Sequence, residues 1–367
     1  MLRIFGFSIG VTILSIIAAA IYGQPNIGQA VFLVVILGIL EVSLSFDNAV
    51  INATILERMS EFWQKIFLTI GILIAVFGMR LIFPLAIVWV TAGLDPVKAF
   101  DLALNPPENG ALEFPDGSDS YEKILTDAHP QIAAFGGIFL LMLFLNFIFE
   151  EREITWLSWL EKPLARIGKL DQLSVVVASV ALVIVAEAFA KDQHEVATVM
   201  VSGVLGMVTY ITVDGLGQMF HPEDHTGPST AVKATGKAGF FLFLYLEVLD
   251  ASFSFDGVIG AFAITSDPII IALGLGFIGA MFVRSITVYL VRRGTLAEYR
   301  YLEHGAHWAI GALAVILLIS IGVHVNEIIT GLIGVVLIGA AFITSILQNR
   351  KEDAEGGDVD EEKSVTV

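Results

Sequence analysis

Ten long apolar runs constrain this chain more than any other feature of its sequence. They are Ile4–Tyr22, Gly28–Ile51, Ile66–Val90, Ile132–Phe149 and Leu173–Ala190, then Val196–Val213, Ala238–Ile264, Ile269–Val291, Trp308–Val323 and Ile328–Leu347. A helix needs about 20 apolar residues to cross a hydrocarbon core about 30 Å thick. Backbone polar groups in lipid must be satisfied internally, which leaves only helices and closed barrels. These runs are continuously apolar rather than alternating, which excludes a barrel. The expected fold class is all-α: a polytopic membrane helix bundle of about ten transmembrane helices. Only 16% of the residues are charged and the mean hydropathy is +0.81, against about 25% charged in soluble domains.

Lysine and arginine orient the bundle, because cytoplasmic loops collect them. With ten spans and a cytoplasmic N-terminus, fifteen of the twenty fall on the inside, three (Lys98, Lys123, Lys191) outside, and Arg80 and Arg284 within spans. Both termini are then cytoplasmic, and the chain is expected to be an integral protein of a bacterial inner (plasma) membrane. The alternative for residues 1–20 is a cleaved signal peptide, with Arg3 before the apolar run and Ala18–Ala20 as the cleavage site. Residues 1–347 form a single transmembrane domain. Residues 348–367 read as an acidic disordered tail. The outside loop Thr91–Gln131, with Asn105-Pro-Pro and Pro115-Asp-Gly, reads as a solvated acidic loop. Trp156 and Trp159 beside charges mark a short interfacial helix in Glu150–Asp171.

The chain lacks cysteine, so it has no disulfide and no thiolate metal site, and its net charge of −17 argues against nucleic acid as a partner. His221-Pro-Glu-Asp-His225 looks metal-like, but the plainer reading is a solvated loop.

An internal repeat carries acids into the bilayer. The second span reads Glu41-Val-Ser-Leu-Ser45-Phe-Asp47-Asn48. The seventh reads Glu247-Val-Leu-Asp250-Ala-Ser-Phe-Ser254-Phe-Asp256-Gly257. Aligning the Ser-Phe-Asp triplets sets Glu41 opposite Asp250. The next span of each half carries a lone arginine, Arg80 and Arg284. Five crossings separate the two motifs, so the repeat is inverted, with a first copy over about 28–150 and a second over about 237–323. Inverted repeats build a substrate site at the midplane and support alternating access. Asp47 and Asp256 are then expected about 9 Å to either side of Glu41 and Asp250.

A carboxylate at mid-membrane costs about 2.5–3.5 kcal/mol, so five of them imply a function. The alternative is structural glue with Arg80 and Arg284. Six residues turn a helix through 600°, so Glu41 and Asp47 face different ways unless the helix breaks near Ser45–Asn48. Gly257 favours a break in the second copy. Carboxylates, the Asn48 amide and the Ser45 and Ser254 hydroxyls are hard oxygen donors. They suit Mn²⁺, Mg²⁺ or Ca²⁺ rather than Zn²⁺ or Cu⁺. The candidate metal residues are Glu41, Asp47, Asn48, Glu247, Asp250 and Asp256, supported by Ser45, Ser254, Arg80 and Arg284.

The two motifs, with the arginines that follow them, resemble those of the TerC family, named for tellurium resistance and grouped with LysE-like transporters. The resemblance implies efflux of a divalent cation, chiefly manganese, with Glu41, Asp47, Asn48, Asp250 and Asp256 as ligands. Gly257 stands where that family has a polar residue. This departure, the long Thr91–Gln131 loop and about ten spans point to a divergent branch. The expected function is a secondary transporter that exports a divalent metal as substrate, with no cofactor and no enzymatic activity. An intramembrane aspartyl protease lacks its Gly-x-Gly-Asp motif here, and no Walker loop is present. The competing class is a non-transport membrane factor that aids insertion or scaffolds a stress response.

Overall fold

The computed structural model describes residues 2–44, 46–71, 95–107, 111–219, 233–262, 267–293, 299–325 and 327–364, and a few isolated positions between them. Among these the protein is all-helical, with no strand. The helices are α1 (Leu2–Tyr22), α2 (Ile27–Leu44), α3 (Phe46–Glu57) and α4 (Glu61–Ile66), which runs into a π-helical stretch, Phe67–Gly71. Two short helices follow, α5 (Pro96–Leu104) and α6 (Tyr121–Asp127). Then come α7 (His129–Phe149), α8 (Ser158–Ile167), α9 (Leu173–Phe189), α10 (Gln193–Met219) and α11 (Gly236–Phe262). A rod composed of α12 (Pro268–Ile271), a second π-helical stretch (Ala272–Gly279) and α13 (Ala280–Arg293) precedes α14 (Leu302–Ser320) and α15 (Glu327–Ser364).

Six helices among the described residues are long and apolar enough to cross a membrane. They are Ile4–Tyr22, His129–Phe149, Gln193–Gly215, Ile269–Val291, Leu302–Ser320 and Leu332–Glu352. Ile27–Ile39 and Leu173–Phe189 are shorter apolar helices. The third apolar run, Ile66–Val90, lies largely outside the described residues. The seventh forms α11, which carries Glu247, Asp250 and Asp256.

α7 is apolar on every face, and such a helix belongs in the interior. It packs against α9, α10, α11 and α14, with Ile138, Phe139 and Leu140 fully buried. α1, α9 and α10 instead present Leu14, Ile184 and Val201 outward, as lipid-facing helices do. On the other flank α2 packs along the second π-helical stretch, and α3 along α13.

Three segments extend the sequence expectation. The loop 91–131 contains two capped helices. Asp95 Oδ1 accepts from the Val97 and Lys98 amides at 3.0 Å with Pro96 at the first helical position, and Ser120 Oγ accepts from the Lys123 amide. Between them Gly117, at φ +84°, turns the chain so that Phe114 and Ser118 bond, and Lys123 Nζ clamps Glu113 and Asp119, each at 2.6 Å. The last helix, Glu327–Ser364, continues past the apolar run, where Gln348 and Arg300 both bond Glu352. α14 begins at Leu302, six residues before the apolar run, because His304 and His307 are buried despite their polarity.

The short helix expected from Trp156 and Trp159 is α8. Its anchor is Glu161, 4% exposed, which accepts from the Trp156 amide at 2.9 Å and the Trp308 indole at 3.0 Å. His304 Nδ1 lies 3.1 Å from the same carboxylate, off line for a hydrogen bond. Burial pushes the Glu161 pKa up, but the adjacent His304 ring, then the Trp308 indole, outweigh it and hold it at about 2.

Candidate functional site

Three of the predicted acids have described side chains, and all three are buried: Glu41 on α2 (1% exposed), and Glu247 and Asp250 on α11 (6% each). Glu247 and Asp250 are three residues apart and share a helix face. α2 and α11 pack against each other. Among the described residues, no three His, Cys, Asp or Glu side chains gather closely enough to hold a metal ion. The side chains of Asp47, Asn48, Ser254 and Asp256, together with Ser45, Arg80 and the 221–225 loop, lie outside the described residues. A break at Ser45 therefore lies there too. The break expected at Gly257 does not occur, since α11 is one helix from Gly236 to Phe262.

The buried acids need room, and glycine provides it. A Cβ built on Gly279 would stand 2.1 Å from Glu41 Cγ and 2.4 Å from its Cβ, so the stem of Glu41 occupies that space. The same crossing brings Gly274 against Leu37 and Gly38 against Ile278. A Cβ on Gly71 would likewise stand 2.6 Å from Glu247 Oε1. Both glycines belong to the π-helical stretches: Gly71 closes the described Phe67–Gly71, and Gly279 closes Ala272–Gly279. π-Helical turns are rare and recur at functional sites. The same arrangement thus occurs twice. An acid of one motif helix lies against a π-helical glycine of the helix that follows the other motif. The correspondence is reciprocal rather than position for position, because Glu247 aligns with Gly38 and not with Glu41.

Glu247 is the least satisfied of these groups. Neither of its oxygens has a hydrogen-bond partner among the described residues, and a buried carboxylate left so is costly. Arg284 reaches across from α13, with Nε donating to the Leu68 carbonyl at 3.0 Å. It thereby joins the helices that hold the two π-helical stretches.

A cavity of about 600 Å³ opens between α3, α7, α10, α11 and α14. Thr54, Asn146, Tyr210 and Tyr245 line its interior, where Asn146 Nδ2 donates to the Tyr210 hydroxyl at 2.9 Å. Arg58 and Glu303, 3.1 Å apart, stand at its mouth. Ile51 lines it as well, and Asp47 precedes Ile51 by one turn on α3. Neither this cavity nor the role of the glycines is evident from the sequence alone. Asn146 and Tyr210 fall within continuous apolar runs, and Glu303 lies just before one. The Gly274-Leu-Gly-Phe-Ile-Gly279 run was the available signal for close helix approach.

The family described as Protein of unknown function (DUF475) matches residues 46–352. The chain belongs to this family. The DUF475 match takes in both π-helical stretches, α11 and Arg284, while Glu41 lies just before it. No curated protein matches the chain, and no solved structure does.

Proposed function

We propose that this DUF475 protein is a secondary transporter that exports a divalent cation, manganese first among them, through carboxylates inside the bilayer. The observation that carries this reading is Glu247: a buried carboxyl beside Asp250, with both oxygens lacking a hydrogen-bond partner among the described residues. A group held this way calls for a cation or a proton. The cation is the substrate. Glu41, Asp47, Asn48, Glu247, Asp250 and Asp256 are its oxygen donors along a path rather than in one shell, which accords with the described acids forming no single cluster. The 600 Å³ cavity is the inner vestibule, and its polar wall leads toward Asp47.

Ten spans and an inverted repeat belong to the same proposal, and the contacts between loops support them. The Arg58–Ser60 turn bonds Ala234, Arg58 pairs with Glu303, and Arg300 pairs with Glu352. The charge count assigns all of these residues to the cytoplasmic side. His129 and Ser320, 3.0 Å apart, both fall toward the outer side. The reciprocal acid–glycine packing supports two related halves, and the TerC resemblance supports the direction of transport. Alternating access would move the two halves about that packing. The test is total cell manganese with and without the protein. Expression should lower it, and Asp250→Asn should restore it while the protein still inserts. Unchanged metal content together with capture of soluble partners would support the scaffold reading instead.

A further inference from the structure

A second cavity, of about 230 Å³, lies between the C-terminal end of α7 and the interfacial helix α8, away from the buried acids and meeting the vestibule at Phe147, Glu150 and Arg152. Its charged lining sorts into pairs and a remainder. Arg152 bonds Glu150 at 2.5 Å, Lys169 lies 3.3 Å from Glu151, and Glu161 is committed to Trp156 and Trp308. Lys162 and Arg166 remain, four residues apart on one face of α8, with no ion-pair partner among the described residues. The vestibule differs: its arginines, Arg58 and the shared Arg152, both have acidic partners.

The surroundings fix the depth of this cavity. Trp159 is 76% exposed, and Ile154, Ile167 and Leu170 are exposed beside it. An interfacial helix buries such residues at the boundary between headgroups and acyl chains. The two cations therefore stand at the level of lipid phosphates. The cavity far exceeds the roughly 10–15 Å³ that one water needs, so a phosphate diester fits. We propose that Lys162 and Arg166 form a binding site for the phosphate of an anionic phospholipid, with the acyl chains lying along Trp159 and Leu170. This site stands independently of the transport reading. The Glu161 anchor ties it to α14, so a bound lipid steadies the helix that carries Glu303 at the vestibule mouth.

The test titrates phosphatidylglycerol and phosphatidylcholine onto the purified full-length protein, with bound lipids counted by native mass spectrometry. The wild type should prefer phosphatidylglycerol by about 30-fold, since each cation near the surface contributes about fivefold. Lys162→Gln and Arg166→Gln should each reduce the preference about fivefold, and the double variant should nearly abolish it. Lys162→Arg/Arg166→Lys should retain it. Lys65→Gln/Arg350→Gln, which removes the same charge elsewhere, should also leave it intact. No preference in the wild type, or an equal loss in that control, would overturn the proposal. So would tight binding of inorganic phosphate without lipid selectivity, which would identify a soluble phosphate as the ligand. The single variants keep the test decisive if the double variant fails to fold.

Discussion

Replacing Gly279 by alanine probes both the packing and the chemistry of the acid pair. The new methyl would stand 2.1 and 2.4 Å from the Cγ and Cβ of Glu41, whereas carbon atoms in contact sit about 3.5–4.0 Å apart. The helices must separate by more than about 1 Å, or Glu41 must leave. Neither relaxation is easy, because the same crossing is close elsewhere: a Cβ built on Gly274 would stand 2.6 Å from Leu37 Cβ, and one on Gly38 2.8 Å from Ile278. Overpacking of this kind costs about 1–3 kcal/mol, and the higher helix propensity of alanine returns up to about 1 kcal/mol. A net loss of about 1–2 kcal/mol lowers the melting temperature by roughly 1–3 °C in a protein of this size. A metal ligand must hold its distance to within about 0.2 Å, so a shift of about 1 Å should remove Glu41 from any cation path. Gly274→Ala is the companion variant, because it meets Leu37 and no acid. Both variants should melt earlier in detergent, but only Gly279→Ala should also lose manganese export per folded molecule. Equal export by the two variants would refute the claim that Gly279 is there for Glu41.

Glu247→Gln replaces a carboxyl whose oxygens lack hydrogen-bond partners among the described residues. Its melting temperature should hold or rise while export falls, and a marked drop in stability with export intact would show a structural role. Glu161 is held at about 2, below its ordinary 4.5, so its stabilisation is complete above about pH 4.5 and is lost as pH falls toward 2. The gap in melting temperature between wild type and Glu161→Gln should therefore be widest above pH 5 and should close on acidification; a gap that grows in acid would contradict the anchor. Cysteines placed at Ser118 and Glu151 should be labelled from opposite sides of the membrane, and labelling of both from outside would dismantle the proposed topology.

Element type was the most legible part of the sequence, because continuous apolar runs have few alternatives in lipid. Span boundaries were less so. His304 and His307 look polar in sequence yet are buried, one beside Glu161 and the other stacked on Phe147. Glu41, Glu247 and Asp250 were legible as buried acids because charge is rare in such runs. Their glycine partners were not, because Gly71 and Gly279 lie in other helices, and only the fold shows which side chain fills the space beside a glycine. Gly257 misled for a related reason. A glycine permits a break but does not cause one, and α11 continues through it.

The central claim is that buried carboxylates carry a divalent cation across the membrane. Its most direct test is Mn²⁺ flux in liposomes reconstituted with purified protein, comparing wild type with Asp250→Asn and Glu247→Gln. The wild type should move Mn²⁺ in preference to Zn²⁺, with the rate falling as pH drops and protons compete for the acids, and both variants should be inactive although folded. Wild-type liposomes no more permeable to Mn²⁺ than protein-free ones, or variants that transport at the full rate, would contradict it.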